Sequence, residues 1–239
     1  MRLNRFLALS GLASRRASES WIVEGRVCVN GAVTTDLATT VDPRRDRVTV
    51  DGREVRAPRE STYLLLHKPP GFVTTMSDPH GRPTVRDLLP RGSPRLFPVG
   101  RLDADSEGLL LLTDDGRLAF RLMHPRYGIA RTYRIVVEGA PAAEALESLR
   151  DGVMLEDGPA AASSVRVLGR DAGRTQLEIV IREGRKREVR RMLEAVGHRV
   201  TKLVRTAYGP LALGDLAPGK TRALTLAEAQ ELKKAVALG

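Results

Sequence analysis

Three observations predict an α+β fold in two parts. Apolar residues recur at helical spacing in some stretches and form short alternating or continuous strands in others, without a regular strand–helix repeat. A polar, proline-containing and aperiodic stretch, Ala57 to Thr62, separates a small first unit from a larger remainder. The 239 residues are 42% hydrophobic and 28% charged, enough apolar matter to bury a core and too much for disorder.

Residues 1–57 read as one compact unit. Leu3, Phe6, Leu7 and Ser10 fall at helical spacing over Arg2 to Ser10, and Gly11 stops that helix. Ser14 is placed to cap a second helix running to about Val23 and ending at Gly25. Arg26 to Gly31 alternates like a strand and closes in an Asn-Gly turn, and Arg47 to Gly52 repeats the strand-and-turn pattern with Asp51-Gly52. The second helix should expose Arg15, Arg16 and Glu19. That arrangement suits a small RNA clamp, or equally a stable mini-domain with ordinary surface charges.

Residues 58–61 read as a linker, and residues 62–239 as a domain of mixed, mostly antiparallel sheet flanked by helices. Tyr63 to His67 is a short buried strand stopped by Lys68-Pro69-Pro70-Gly71. Leu109 to Thr113 is another, closed by the turn residues Asp114-Asp115-Gly116. Further strands fit Thr132–Glu138, Ser164–Leu168 and Gln176–Ile181. Helices fit Leu118–Met123, Pro141–Arg150, Lys186–Val196 and Ala227–Val236, the last opened by a Thr225/Glu228 capping box. No internal repeat or low-complexity tract interrupts this reading.

Charge narrows the function. Lys and Arg number 39 against 29 Asp and Glu, a net charge of +10. Most of the cations are Arg, which binds phosphate bidentately and stacks on bases, so a nucleic-acid partner is favoured. Only 4% of residues are aromatic, which argues against a stacking array that holds single strands nonspecifically. The single cysteine, Cys28, excludes an intramolecular disulfide and fits a reducing compartment. The N-terminal Met1 to Leu9 begins like a signal peptide but meets Ser14-Arg15-Arg16 before any long apolar centre, and no run reaches membrane-spanning length. A cytoplasmic protein away from membranes, acting as a monomer, is expected. One Cys and four scattered His cannot make an ordinary closed zinc site, and no phosphate loop, dinucleotide fingerprint or serine elbow is present. His67, His80, His124 and His198 sit in turns or at element ends and are expected to be structural or RNA-facing.

Three segments could carry chemistry. Gly100-Arg101-Leu102-Asp103-Ala104-Asp105-Ser106-Glu107-Gly108 places three carboxylates and an Arg between two glycines, directly before a buried strand. A core strand can hold such a loop rigid and still accessible, although an isolated Asp103 or Asp105 is more often a turn or cap residue. From Arg182 to Arg205, nine Arg or Lys face three Glu. Within it Val189, Met192, Leu193 and Val196 form an inward helical face, leaving Arg187, Arg190 and Arg191 on the flank or outer side. So lopsided a run favours phosphate contact over simple solvation. Arg131-Thr132-Tyr133 opens a strand where Tyr133 could stack on a base or fill the core.

Taken together, these residues resemble one family. Gly100-Arg101-Leu102-Asp103 through Gly108-Leu109-Leu110-Leu111-Leu112-Thr113-Asp114-Asp115-Gly116 is similar to the catalytic motif of the ribosomal small-subunit and large-subunit pseudouridine synthases. His67-Lys68-Pro69-Pro70-Gly71 resembles their opening strand motif, and Arg131-Thr132-Tyr133 their Lys-x-Tyr-type motif with Arg in place of Lys. Glu183 to Met192 resembles their third motif, with Glu188 where Gln is usual. Residues 1–57 resemble the alpha-L (S4-type) RNA-binding module that precedes the catalytic domain in this family.

The resemblance implies isomerisation of a specific uridine in ribosomal RNA to pseudouridine, with no metal and no cofactor. It implies a catalytic set of Asp103, Tyr133 and Arg190. Asp103 would act on the sugar as nucleophile or as base, Arg190 would pair with Asp103 and keep it ionised, and Tyr133 would lie against the target base. Arg101 would hold RNA near the flipped nucleotide and Leu203 would pack the base pocket. Arg15, Arg16, Arg131, Arg185, Lys186, Arg187 and Arg191 complete the expected RNA-binding set. The run Gly209 to Gly219 is similar to the large-subunit branch, which makes 23S rRNA the expected substrate. The alternatives are 16S rRNA, or a noncatalytic rRNA-binding assembly factor on the same scaffold.

Overall fold

The computed structural model describes residues 1–43, 45–55 and 61–238. The chain divides into two compact units, Met1–Ser61 and Thr62–Gly239. Residues 58–60 of the expected linker lie outside the described residues.

The first unit contains α1 (Leu3–Leu9), α2 (Arg15–Val23), and the strands β1 (Val27–Val29), β2 (Ala32–Val33), β3 (Val48–Val50) and β4 (Arg53–Val55), in the sheet order β2-β1-β3-β4. Ser14 caps α2 by accepting the Ala17 N–H at 3.1 Å. Both hairpins close on left-handed pairs, Asn30 and Gly31 (φ 53° and 88°) and Asp51 and Gly52 (φ 51° and 76°), as their sequences demand. Leu3, Phe6, Leu7, Ile22, Val27 and Val48 form the core. Arg15 and Arg16 are exposed, as expected, but Glu19 is half-buried and accepts a hydrogen bond from Asn4 Nδ2 at 2.6 Å.

In chain order, the second unit begins with β5 (Tyr63–Lys68), β6 (Phe97–Pro98), β7 (Glu107–Thr113), α3 (Gly116–Met123), β8 (Arg131–Glu138) and α4 (Ala143–Asp151). It continues through β9 (Val153–Leu155), β10 (Gly158–Ala160), β11 (Ser164–Asp171), β12 (Arg174–Ile181) and α5 (Glu188–Ala195). It closes with β13 (Val200–Tyr208), β14 (Leu211–Ala212), β15 (Thr221–Ala223) and α6 (Leu226–Ala235), which the Thr225/Glu228 capping box opens. The main sheet runs β11-β12-β8-β13-β7-β5-β15, with β14 added to β13 and β6 to β7. Its pairs are antiparallel except β13 with β7.

Alternation explains the leucine-rich strands. Leu66, Leu110 and Leu112 share one core with Leu146 and Leu149 of α4 and Val189, Met192 and Leu193 of α5. Leu65, Leu109 and Leu111 share another with Leu118 and Leu122 of α3 and Leu232 of α6. A sheet buried on both faces needs apolar residues at every position, and each leucine so buried contributes about 1.5–3 kcal/mol.

Strand β13 is missing from the sequence reading although it lies at the middle of the sheet. Its register shifts twice, between Val200 and Lys202 and between Arg205 and Ala207, so the two-residue alternation is broken. It also buries Arg205 to 2% exposure, a residue type that argues against a core strand. His67, expected at an element end, lies within β5, buried, with Nδ1 against the Leu216 carbonyl at 2.6 Å and Nε2 against Glu107 at 3.0 Å.

Candidate active site

The acidic loop is held from three sides. Thr74 Oγ1 donates to the Leu102 carbonyl at 2.6 Å and accepts the Leu102 N–H at 3.2 Å, clamping the residue before Asp103. The Gly71 N–H reaches the Ala104 carbonyl at 2.7 Å. Lys68, fully buried, donates to the carbonyls of Ser106 at 2.8 Å and Pro69 at 3.0 Å. Burial brings the Lys68 ammonium down to about 8, against the opposing pull of Asp105 and Asp103. Lys68 and Thr74 thus hold the loop backbone and leave the Asp103 side chain to the cavity.

Gly108 places the loop against β13. At φ +117° it lies where a Cβ would stand 2.3 Å from the Arg205 carbonyl oxygen, so only glycine lets β7 and β13 approach this closely. The parallel pairing of Val204 with Glu107 and Arg205 with Gly108 follows from that approach.

A cavity of about 990 Å³ opens beside the loop. The structure brings Arg101, Asp103, Arg131, Tyr133, Arg185, Lys186, Arg187, Arg190 and Leu203 together on its lining. Arg191 is not among its lining residues, and Arg15 and Arg16 belong to the first unit. Tyr133 on β8 and Leu203 on β13 point to the same sheet face, since Leu203 pairs with Ile135 two residues from Tyr133. They form an apolar wall, 7% and 6% exposed, beside a carboxylate 38% exposed at Asp103.

The charge pairing differs from the expected one. Arg190 does not pair with Asp103: its Nη2 lies 3.2 Å from Asp105 Oδ2, and its Nη1 donates to the Val200 carbonyl at 3.2 Å. Nor is it on the outer face, being 6% exposed. Among the described residues the cation paired with Asp103 is Arg187, with Nη1 4.0 Å from Oδ2 while also 3.1 Å from Asp105 Oδ2. Arg187 stands at the head of α5 with φ +51°, a left-handed conformation unusual for a residue with a Cβ. Burial would raise the Asp105 carboxyl, but the Arg187 hydrogen bond and the charges of Arg190 and Arg187 outweigh it and hold the pKa below the ordinary carboxylate value. Asp105 therefore gathers the two guanidiniums and leaves Asp103 at the edge of their field.

Three expected RNA contacts are engaged within the protein. Arg131 is 9% exposed, and its Nη1 donates to the carbonyls of Ile129, Arg182 and Glu183, so it braces the turn before α5. Arg185 is held by Asp157, Glu183 and the carbonyls of Gly158 and Pro159. Arg191 grips Asp157 with both arms at 2.8 and 2.9 Å. Arg191 holds the Asp157 carboxyl below its ordinary value. Glu188, the residue in place of the usual Gln, is 3% exposed and accepts the Arg185 N–H at 3.0 Å; burial raises its pKa.

Sequence reasoning singled out the loop that holds Asp105 and Gly108 without giving either a role, and it gave none to Lys68, Thr74 or Arg205. Lys68 had a signal, a cation ending an apolar strand before Pro-Pro-Gly. Thr74 had none. Arg205 donates from Nε to the Leu109 carbonyl at 2.8 Å and lies 5.2 Å from the Tyr208 ring centroid, burial that only the unrecognised strand explains. Among the described residues no cluster of His, Cys, Asp and Glu is arranged to hold a metal ion, and no helix is long and apolar enough to cross a membrane.

Residues 62–195 match the family model described as RNA pseudouridylate synthase, and residues 1–46 match the S4 domain. The chain is 45% identical over 239 residues to an uncharacterized RNA pseudouridine synthase of Aquifex aeolicus (strain VF5), covering 100% of this chain and 96% of that protein. It is 43% identical to the ribosomal large subunit pseudouridine synthase B of Bacillus subtilis (strain 168), covering 97% of this chain and 95% of that protein. A crystal structure of a pseudouridylate synthase is similar at a TM-score of 0.69 and 27% identity, across 97% of this chain and 99% of that one.

Proposed function

The chain belongs to the RNA pseudouridylate synthases, and from that membership we propose that it converts a specific uridine of 23S ribosomal RNA to pseudouridine, in the cytoplasm and without a cofactor. The large-subunit assignment is supported by the 43% identity to the ribosomal large subunit pseudouridine synthase B of Bacillus subtilis. The observation that carries the catalytic assignment is the Asp103 carboxylate, 38% exposed on a cavity whose apolar wall is Tyr133 and Leu203.

The rearrangement conserves every atom. The bond from the sugar to the base nitrogen breaks, a bond to a ring carbon forms, and the proton of that carbon is lost while the nitrogen gains one. No redox partner is required. Breaking the first bond develops positive charge on the sugar, which a nearby carboxylate stabilises electrostatically or covalently. Asp103 is that carboxylate. Tyr133 and Leu203 hold the detached uracil while it turns, and a water-poor wall keeps it from diffusing away. Arg187 and Arg190 act chiefly through Asp105, fixing the loop and the local field in which Asp103 works. The uridine leaves its stack to enter, which costs a few kcal/mol, and phosphate contacts from Arg101, Lys186, Arg15 and Arg16 offset that cost.

The test is to treat 23S and 16S rRNA transcripts with the purified protein and map pseudouridine by carbodiimide modification. New pseudouridine at one 23S position is expected. Modification of 16S alone moves the substrate to the other subunit, and no modification of either contradicts the proposal.

A further inference from the structure

Helix α3 carries an aromatic side chain that the fold does not use. Its inner face buries Leu118, Ala119 and Leu122, while Arg117, Phe120, Met123 and His124 are exposed. Single exposed apolar residues are ordinary, so exposure alone says little. Phe120 differs in its surroundings. It is 60% exposed, whereas the chain's other phenylalanines, its tyrosines and its tryptophan are buried or half-buried. The His124 ring lies 5.4 Å from it, tilted by 55°. Met123, three residues on and so adjacent on the helix surface, lines the active-site cavity with Pro125. The Gly100 N–H points to Met123 Sδ at 3.0 Å, which ties this face to the start of the acidic loop.

The charge here suits a polyanion. Arg117 is exposed one turn before Phe120, Arg126 is exposed just beyond His124, and Arg101 is exposed at the cavity. The carboxylates at the head of the helix are engaged, Asp115 by the N–H groups of Arg117 and Leu118 and by Tyr63 Oη, and Asp114 by the Thr62 N–H. An aromatic face flanked by guanidiniums, continuous with the active-site cavity through Met123 and Pro125, has the chemistry of a base-stacking surface.

We propose that Phe120, with His124 beside it, stacks an unpaired RNA nucleotide adjacent to the uridine held in the cavity. This rests on the proposed function and adds a second anchoring point for the same strand. It is one platform, not the repeated array that the low aromatic content argues against. With a neighbour pinned on Phe120, the strand passes over Met123 and Pro125 and presents the target uridine to Asp103.

The test uses the full chain and a 23S rRNA transcript, with affinity measured across a salt series and pseudouridine measured in a single turnover. Phe120→Ala should weaken binding about tenfold or more, the loss expected for one stacked base, with an unchanged salt slope because no charge is removed. Phe120→Trp should restore the affinity, and Arg117→Ala should make the slope shallower. Unaltered affinity in Phe120→Ala, with a wild type that forms pseudouridine, overturns the proposal. So does a change in self-association in Phe120→Ala with RNA affinity intact, since the face would then belong to a second copy. Phe120-dependent binding by a wild type that forms no pseudouridine supports the platform and defeats only the catalytic reading.

Discussion

The basic segment before and within α5 has two flanks that behave differently. On one, Arg187 and Arg190 face the acidic loop, with Asp105 at 3.1 and 3.2 Å and Asp103 at 4.0 Å from Arg187. On the other, Arg185 and Arg191 close on Asp157 and the carbonyls of the β9–β10 hairpin. The same residue type, one or two positions apart (Arg190 and Arg191, Arg185 and Arg187), serves a reactive loop on one side and the fold on the other. A local excess of arginine is therefore not a measure of phosphate contact. Guanidiniums turned onto the protein's own carboxylates and carbonyls have few donors free for RNA, whereas Lys186 and Arg101 on the cavity wall make no such bond among the described residues.

The sharpest perturbation of the loop side is Gly108→Ala. Its Cβ would meet the Arg205 carbonyl at 2.3 Å, so the variant should lose roughly 3 kcal/mol or more of stability, read as a lowered urea midpoint. A midpoint equal to the wild type would mean β7 and β13 do not rely on that approach. Arg187→Ala against Arg191→Ala tests the contrast itself. Arg187→Ala should slow single-turnover pseudouridine formation by roughly tenfold with little change in stability. Arg191→Ala should cost about 1 kcal/mol of stability, consistent with a partly exposed pair, and leave the rate nearly unchanged. The reverse assignment of effects would break the comparison.

Lys68 sharpens it through pH. Its folded value, about 8, lies below the ordinary 10.5, so between those limits the unfolded chain binds the extra proton. Its contribution to stability therefore increases as pH rises from about 8 towards 10.5, and the penalty of its burial is fully present below that window. Urea midpoints of wild type relative to Lys68→Met should climb across that range, and a constant difference would show that Lys68 does not titrate there. The smallest effect belongs to the first unit. Arg15→Ala with Arg16→Ala should make the salt dependence of rRNA affinity shallower by up to about 0.9 per contact, with an unchanged thermal midpoint because both residues are exposed.

Much of the fold was legible because its signals are local. The Asn30-Gly31 and Asp51-Gly52 turns, the Ser14 cap, the Thr225 capping box and the leucine strands each follow from residue type and spacing. Strand β13 was not legible, since its two register shifts erase the period and its buried Arg205 has partners only in three dimensions. The site followed the same rule. The resemblance to the family picked out several residues that line the cavity, Asp103, Tyr133 and Leu203 among them, but not Thr74 or Arg205. Which guanidinium faces which carboxylate was hidden, because Arg187 and Arg190 are more than eighty residues from Asp105 and only the packing of α5 decides their reach. The role of Arg131 was hidden for the same reason, its three carbonyl acceptors lying on two separate segments.

The most direct measurement is pseudouridine formation by Asp103→Asn, which keeps the size of the side chain and removes its charge. The 23S transcript would be mapped by carbodiimide modification beside measurements of RNA affinity and unfolding midpoint. Activity should fall at least about a thousandfold while affinity and midpoint stay near the wild-type values. Undiminished pseudouridine in that variant would contradict the assignment of Asp103.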